Sequence, residues 1–419
     1  MRKALLALLL VIAACSDESG VTPDASVRDS GGGDSGGRDL GGLDGGDGGA
    51  GDGGGGDAGL ADAGSADAGF DASVDAGPPP LIEAIDDGTV LPPHDLTDCA
   101  PTVAFAADGT AYLLHSNSPA TPGVRVQRLE GRTWIPLAGA LNAADQPINI
   151  NICPAILVRA DGTPYVGFVS QSATTRQVRV RRFVAGEWED ALAIDAPISA
   201  FAPALDIAMA LDPSDAPVVA LVEFITDEHF VTVRRLVGSA FVREGPALAR
   251  ASRNVSVATR PDGTIVVFST SQIPGLVGNV STLTAGVWTT LPTVDGGGGS
   301  PLLPDQIFAD AASITVSYSI VAPSYMVRAT RSTGAGFTSL GTETPGIRST
   351  MVTLGARVVQ AYERDVAASD IRTNDGTGWG TPIMLPVSSA GTRLAVSAGR
   401  LYAAYTDGAV ARVVRVNLP

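Results

Sequence analysis

The sequence predicts an all-β fold: a seven-bladed β-propeller of four-stranded antiparallel blades over residues 81–419. Three observations carry that prediction. Short apolar runs separated by turn signals recur from Leu81 onward, and no segment holds a long helical period. An aromatic residue ends each of six similar units, at Trp134, Trp188, Phe241, Trp288, Phe337 and Trp379, so every tryptophan of the chain falls at one repeat position. A third-strand mark, always preceded by an apolar residue, recurs at Arg125, Arg179, Thr232, Ser281, Arg328, Arg372 and Arg415.

The first unit reads as a strand over 101–105, a turn at Asp108-Gly109, strands over 111–115 and 124–129, a turn at Glu130-Gly131, and Trp134. The second repeats it with 154–157, Asp161-Gly162, 164–169, 178–183, Ala185-Gly186 and Trp188, and Asp262-Gly263 serves the fourth unit. Asp-Gly between alternating apolar runs marks a hairpin, because the tightest turns need a positive φ that glycine tolerates. From mark to aromatic there are nine residues in four units and seven in the units of Ser281 and Arg372. The difference is even, so each side chain keeps its face of the sheet.

Seven marks against six aromatics leave the last unit one strand short, and the run 81–85 has no partner of its own. Joined, the two complete a blade and remove an exposed sheet edge. Units of roughly 45 to 50 residues also allow six or eight blades.

Ahead of this domain, Arg2 and Lys3 precede an apolar run over 4–14 that is too short to span a bilayer, which takes about 20 residues. It reads as an export signal. The run ends in Ile12-Ala13-Ala14-Cys15, which resembles the lipobox of bacterial lipoprotein signal peptides. The resemblance implies a signal peptide over 1–15, acyl chains on Cys15, and, with Ser16 next, a lipid-anchored protein of the outer membrane, periplasmic or surface-exposed. Each buried CH₂ contributes about 0.8 kcal/mol, so more than one chain is needed for firm anchoring.

Residues 16–80 are almost wholly Gly, Asp, Ala and Ser, and cannot bury enough surface to offset the entropy of ordering. They read as a disordered tether with a span of roughly 45 Å, extended further by repulsion between aspartates. A calcium-binding repeat would need an aliphatic residue in each turn, and Leu43, Leu60, Phe70 and Val74 are too sparse for that.

The net charge of -16 argues against nucleic acid. Cys99 and Cys153 form an even pair ahead of the same strand in successive units, which predicts a disulfide between neighbouring repeats in an oxidising compartment, with two buried thiols as the alternative. His94, His115 and His229 show no metal spacing, and residues 81–419 hold no G-x-S-x-G, P-loop or C-x-x-C motif, so neither metal nor cofactor is expected. Glu223, Asp227 and Glu228 are the densest carboxylates on the expected rim, where a glycosidase would need two, about 5 to 9.5 Å apart. The third-strand arginines read either as a cationic ring or, preferably, as stems packed between blades.

The turn Gly131-Arg132-Thr133-Trp134 resembles the tail of the Asp-box hairpin of sialidase-like propellers, and Thr373-Asn374-Asp375-Gly376-Thr377-Gly378-Trp379 is loosely similar to it. Leu129 stands where the box has Asp, and Asp375 lies one residue too near Trp379. The resemblance implies the fold; it assigns none of the arginines, the Tyr/Glu pair or the acid Asp of a sialidase. The expected function is a monomeric, non-enzymatic, lipid-tethered module that binds a protein or glycan at the cell envelope. The alternative is a sialidase-like glycosidase with rim carboxylates.

Overall fold

A computed structural model of the protein describes residues 80–88, 99–116, 123–141, 153–171, 176–189, 192–193, 206–225, 228–249, 254–271, 277–294, 302–321, 324–365, 368–385, 391–407 and 410–419. Cys15, the tether up to residue 79, His94 and Asp227 lie outside the described residues.

The inner hairpin of each unit closes where the sequence places its Asp-Gly pair. At 106–109, Gly109 N donates to Ala106 O at 3.0 Å, Gly109 takes φ 88°, and the Asp108 carboxylate accepts from Thr110 N at 2.8 Å. Asp161-Gly162 and Asp262-Gly263 repeat this geometry. Only the glycine of each pair is left-handed. The turn is therefore a three-residue loop ending in a left-handed glycine, and the aspartate serves as a cap for the returning strand.

Seven sheets result, each a run of four antiparallel strands. Their first strands are Thr102–Phe105, Ala155–Val158, Ile207–Leu211, Val255–Thr259, Leu302–Ala309, Ile347–Leu354 and Thr392–Ser397, opening blades 1 to 7. In blades 2, 3 and 5 the outer edge is split into two short strands on the same third strand. Each first strand packs against the next, and that of blade 7 returns to that of blade 1, so the seven line one axis in a closed ring. Blade 7 is completed by Ile82–Ala84, in register with Val416 and Val414. No helix occurs among the described residues.

Seven apolar clusters fill the seven slots between neighbouring blades. The repeated aromatics clasp the same slots at the outer edge. Each stands at the start of its blade's outermost segment, as in the pairs Leu129 with Trp134 and Phe183 with Trp188. Trp188 Nε1 donates to Leu137 O of blade 1 at 2.9 Å, and Trp288 Nε1 to Pro246 O of blade 3 at 2.8 Å. Trp134 Nε1 donates to Asp86 Oδ2 at 2.9 Å, fastening blade 1 to the strand that completes blade 7. Their common position thus serves one purpose: an indole or phenyl ring on one blade covers the edge of the preceding slot.

The third-strand arginines Arg179, Arg328, Arg372 and Arg415 are engaged within their own blades. Arg415 pairs with Glu83 and Arg328 with Glu343, each a carboxylate at the outer edge of the same blade. Arg372 lies over the Trp379 ring at 4.1 Å and donates to Gln360 Oε1 from Nε and Nη2. They form no cationic ring around the axis.

Candidate ligand site at the channel mouth

The hairpin turns join the ends of first strands to the starts of second strands, so the starts of the first strands lie together at the opposite face. Cys99 and Cys153 stand there, joined as a disulfide with Cα atoms 5.1 Å apart that links the approaches to blades 1 and 2. The described chain begins at the hairpin-turn face, where Asn417 Nδ2 donates to Pro80 O at 2.8 Å.

Of the carboxylates singled out on the rim, the two described ones, Glu223 and Glu228, do not assemble a site. Glu223 is 4 % exposed and locked inside blade 3, accepting from Arg234 Nη2 at 2.9 Å and from Thr232 Oγ1. Glu228 is exposed at a strand start. His115 is buried in blade 1 and shares a hydrogen bond with Gln127 Nε2 at 3.2 Å, while His229 is the half-buried second residue of the strand Glu228–Val237 in blade 3. No cluster of His, Cys, Asp and Glu among the described residues fits a metal ion.

Another set of charges converges on the axis, from blades 3, 5, 6 and 7. Asp206 precedes the first strand of blade 3; its Oδ1 accepts from Ile207 N at 2.9 Å and its Oδ2 from Val255 N of blade 4 at 2.8 Å. Asp305 sits at an irregularity between Pro304 and Gln306, and its Oδ2 accepts from Ser319 Oγ at 2.8 Å and Ser349 Oγ at 2.9 Å. Burial among the blades is the main influence on both: it pushes Asp206 up to about 7 and Asp305 up to about 6 against the pull of those hydrogen bonds. Both residues are half-buried.

Blade 6 is bent twice to contribute its pair. Its first strand shifts register between Ile347 and Thr350, and its second between Glu363 and Asp365. Arg348 lies within the first irregularity at φ 50°, a conformation costly for a non-glycine residue, and its side chain is 40 % exposed. A Cβ at Gly346 would meet Glu363 O at 2.5 Å, so only glycine lets the two strands approach this closely. Glu363 is 2 % exposed; its Oε1 lies 3.5 Å from Arg348 Nη1 and accepts no hydrogen bond. Burial pushes its carboxyl up to about 7, with Arg348 and Arg393 opposing and Asp305 reinforcing.

Arg393, the second residue of the first strand of blade 7, completes the set. Burial lowers its pKa, while Asp305, Asp206 and Glu363, in that order, hold it charged. These partners belong to three other blades, so its guanidinium reaches toward the middle of the ring. It is half-buried and donates no hydrogen bond to any described residue. A cation with open donors, flanked by carboxyls whose protonation lies near neutrality, can hold a polar ligand and exchange protons with it.

A ring of seven four-stranded blades with polar groups converging at one mouth defines a seven-bladed β-propeller with a candidate axial ligand site. Neither family models nor curated proteins match the sequence. Solved structures do match in shape. Puromycin hydrolase is 16 % identical with a TM-score of 0.52 over 80 % of this chain and 55 % of its own. A PL25 polysaccharide lyase, an ulvan lyase bound to -[GlcA(1-4)Rha3S]-, is 10 % identical with a TM-score of 0.52 over 80 % of this chain and 95 % of its own. Trypanosoma rangeli sialidase is 10 % identical with a TM-score of 0.44 over 68 % of this chain and 56 % of its own. The chain spans about half the length of the puromycin hydrolases it resembles. At these identities the likeness establishes the fold alone.

The neighbours overturn the expectation of a non-enzymatic module. That expectation rested on the absence of familiar sequence motifs, and the matching propellers are enzymes, a hydrolase and a lyase among them. Missing linear motifs are no guide in a fold whose sites are assembled from several blades.

Proposed function

We propose that the channel mouth is a glycan site and that the protein binds its glycan at the cell envelope, anchored through Cys15. The observation that carries this reading is the convergence of Arg393, Asp206 and Asp305 at one end of the axis, each half-buried. Sugars offer many hydroxyls, and a concave site with a few fixed donors and acceptors suits them.

A second reading, turnover of the glycan, is favoured by the carboxyls themselves. Groups pushed to about 6 and about 7 are poised to give or take a proton at envelope pH. A glycan array with the full chain in detergent tests the first reading, with Arg393→Gln as the control variant. Binding to one glycan class, lost in that variant, is the expected result; an array without hits overturns it. Release of new chain ends from the bound glycan would establish turnover, and intact glycan after prolonged incubation would reject it.

A further inference from the structure

We infer that the ligand presents one carboxylate to Arg393, so that the mouth selects acidic sugars of the uronate class over neutral ones; the sugar part of this inference rests on the glycan reading above. Arginine carries five N–H donors in a planar fork matched to a carboxylate, and in folded proteins a partly buried guanidinium ordinarily spends several of them. The contrast within this chain is plain. Arg372, Arg235 and Arg234 each donate to fixed side chains, whereas Arg393 donates to none of the described residues although it lies on the axis.

The surroundings define the charge that fits. Asp206, Asp305 and Glu363 face Arg393 from three blades, and Arg348 faces it from the same side as Glu363. Three carboxyls around two arginines repel a dianion such as a phosphate monoester and tolerate a single negative charge. Arg348 supplies a second cation at the edge of the seat, next to Glu363. Its left-handed backbone within a strand irregularity turns that side chain out of the regular alternation of the strand.

Protonation strengthens the preference in one direction. As pH falls through about 7 and about 6, Glu363, Asp206 and Asp305 lose charge. The seat then becomes more positive. A carboxylate ligand is therefore held more tightly at pH 6 than at pH 8.

The test titrates the full chain in detergent with glucuronate, glucose, acetate and inorganic phosphate, following the arginine Nε–H resonances and the heat of binding. Glucuronate is expected to bind at least tenfold more tightly than glucose at pH 6 and to weaken severalfold by pH 8. Arg393→Gln should abolish that preference, and Arg348→Gln should reduce it. Arg393→Lys, which keeps the charge but not the fork, should lower it about tenfold; a melting curve for each variant shows that the ring is intact. Equal affinity for glucose and glucuronate in the wild type, or unchanged glucuronate binding in a folded Arg393→Gln, overturns the inference while leaving a glycan site standing. Acetate shifting the Arg393 resonance with no sugar bound preserves the anion seat and rejects the glycan reading.

Discussion

The slot between blades 4 and 5 and the slot between blades 5 and 6 are neighbours in one ring, yet they are held by different forces. The first is hydrocarbon: Val266, Phe268 and Val280 meet Leu302, Ile307, Val316 and Tyr318, all buried. In the second the buried apolar set shrinks to Ala329, Met351 and Val358. Polar bonds take over there. Gln306 Oε1 accepts from Thr350 Oγ1 and Met351 N, both at 2.7 Å, and Asp305 from Ser349 Oγ. Hydrocarbon contact is non-directional and tolerates small slips, whereas paired hydrogen bonds fix one register. The directional slot is the one that borders the irregular strands bearing Asp305, Arg348 and Glu363.

The largest effect expected from that contrast is in the apolar slot. Phe268→Ala should cost about 3–5 kcal/mol in urea unfolding, and Met351→Ala, in the thinner apolar set, should fall at the lower end of the 2–5 kcal/mol range of such truncations. Equal costs would mean that the two slots are filled alike. Next, Gln306→Ala strands a buried amide and a hydroxyl and should cost about 1–3 kcal/mol. It should also weaken ligand binding at the mouth by displacing Asp305; a folded variant with wild-type affinity would separate the slot from the site.

The pH dependence is smaller and has a definite sign. Asp206, Asp305 and Glu363 are raised in the folded ring, so their protonated forms stabilise it. That contribution is complete below the unfolded carboxyl values near 4 and is lost as pH rises through about 6 and about 7. Stability should therefore fall between pH 5 and pH 8, each of the three groups contributing at most ~1.4 kcal/mol per pH unit. Glu363→Gln should flatten the slope, which denaturation midpoints at several pH values would show. The smallest effect is at the rim: Trp288→Phe removes the bond to Pro246 O at an exposed edge and should cost about 1 kcal/mol or less.

Much of the ring was legible in the sequence, because its periodic marks are local. Asp108-Gly109 and Trp134 announce a turn and a blade edge by their own chemistry, and the unpartnered run near Leu81 pointed to the closing strand. The candidate site was not legible. Glu223 looked like a rim carboxylate, and only its pairing with Arg234 across one hairpin shows it to be internal. Asp206 and Arg393 carried one faint signal, a charged residue at the start of a first strand, and nothing in a linear reading says that these starts meet.

By itself the sequence determined what depends on neighbours along the chain: alternation, turn chemistry, repeat length and the position of the aromatics. Residue 206 and residue 393 become neighbours only when seven blades close on one axis. The tertiary structure alone decided which charges are stripped of water and set against one another, since desolvation and Coulomb energy depend on distance in space, and distance along the chain does not encode it.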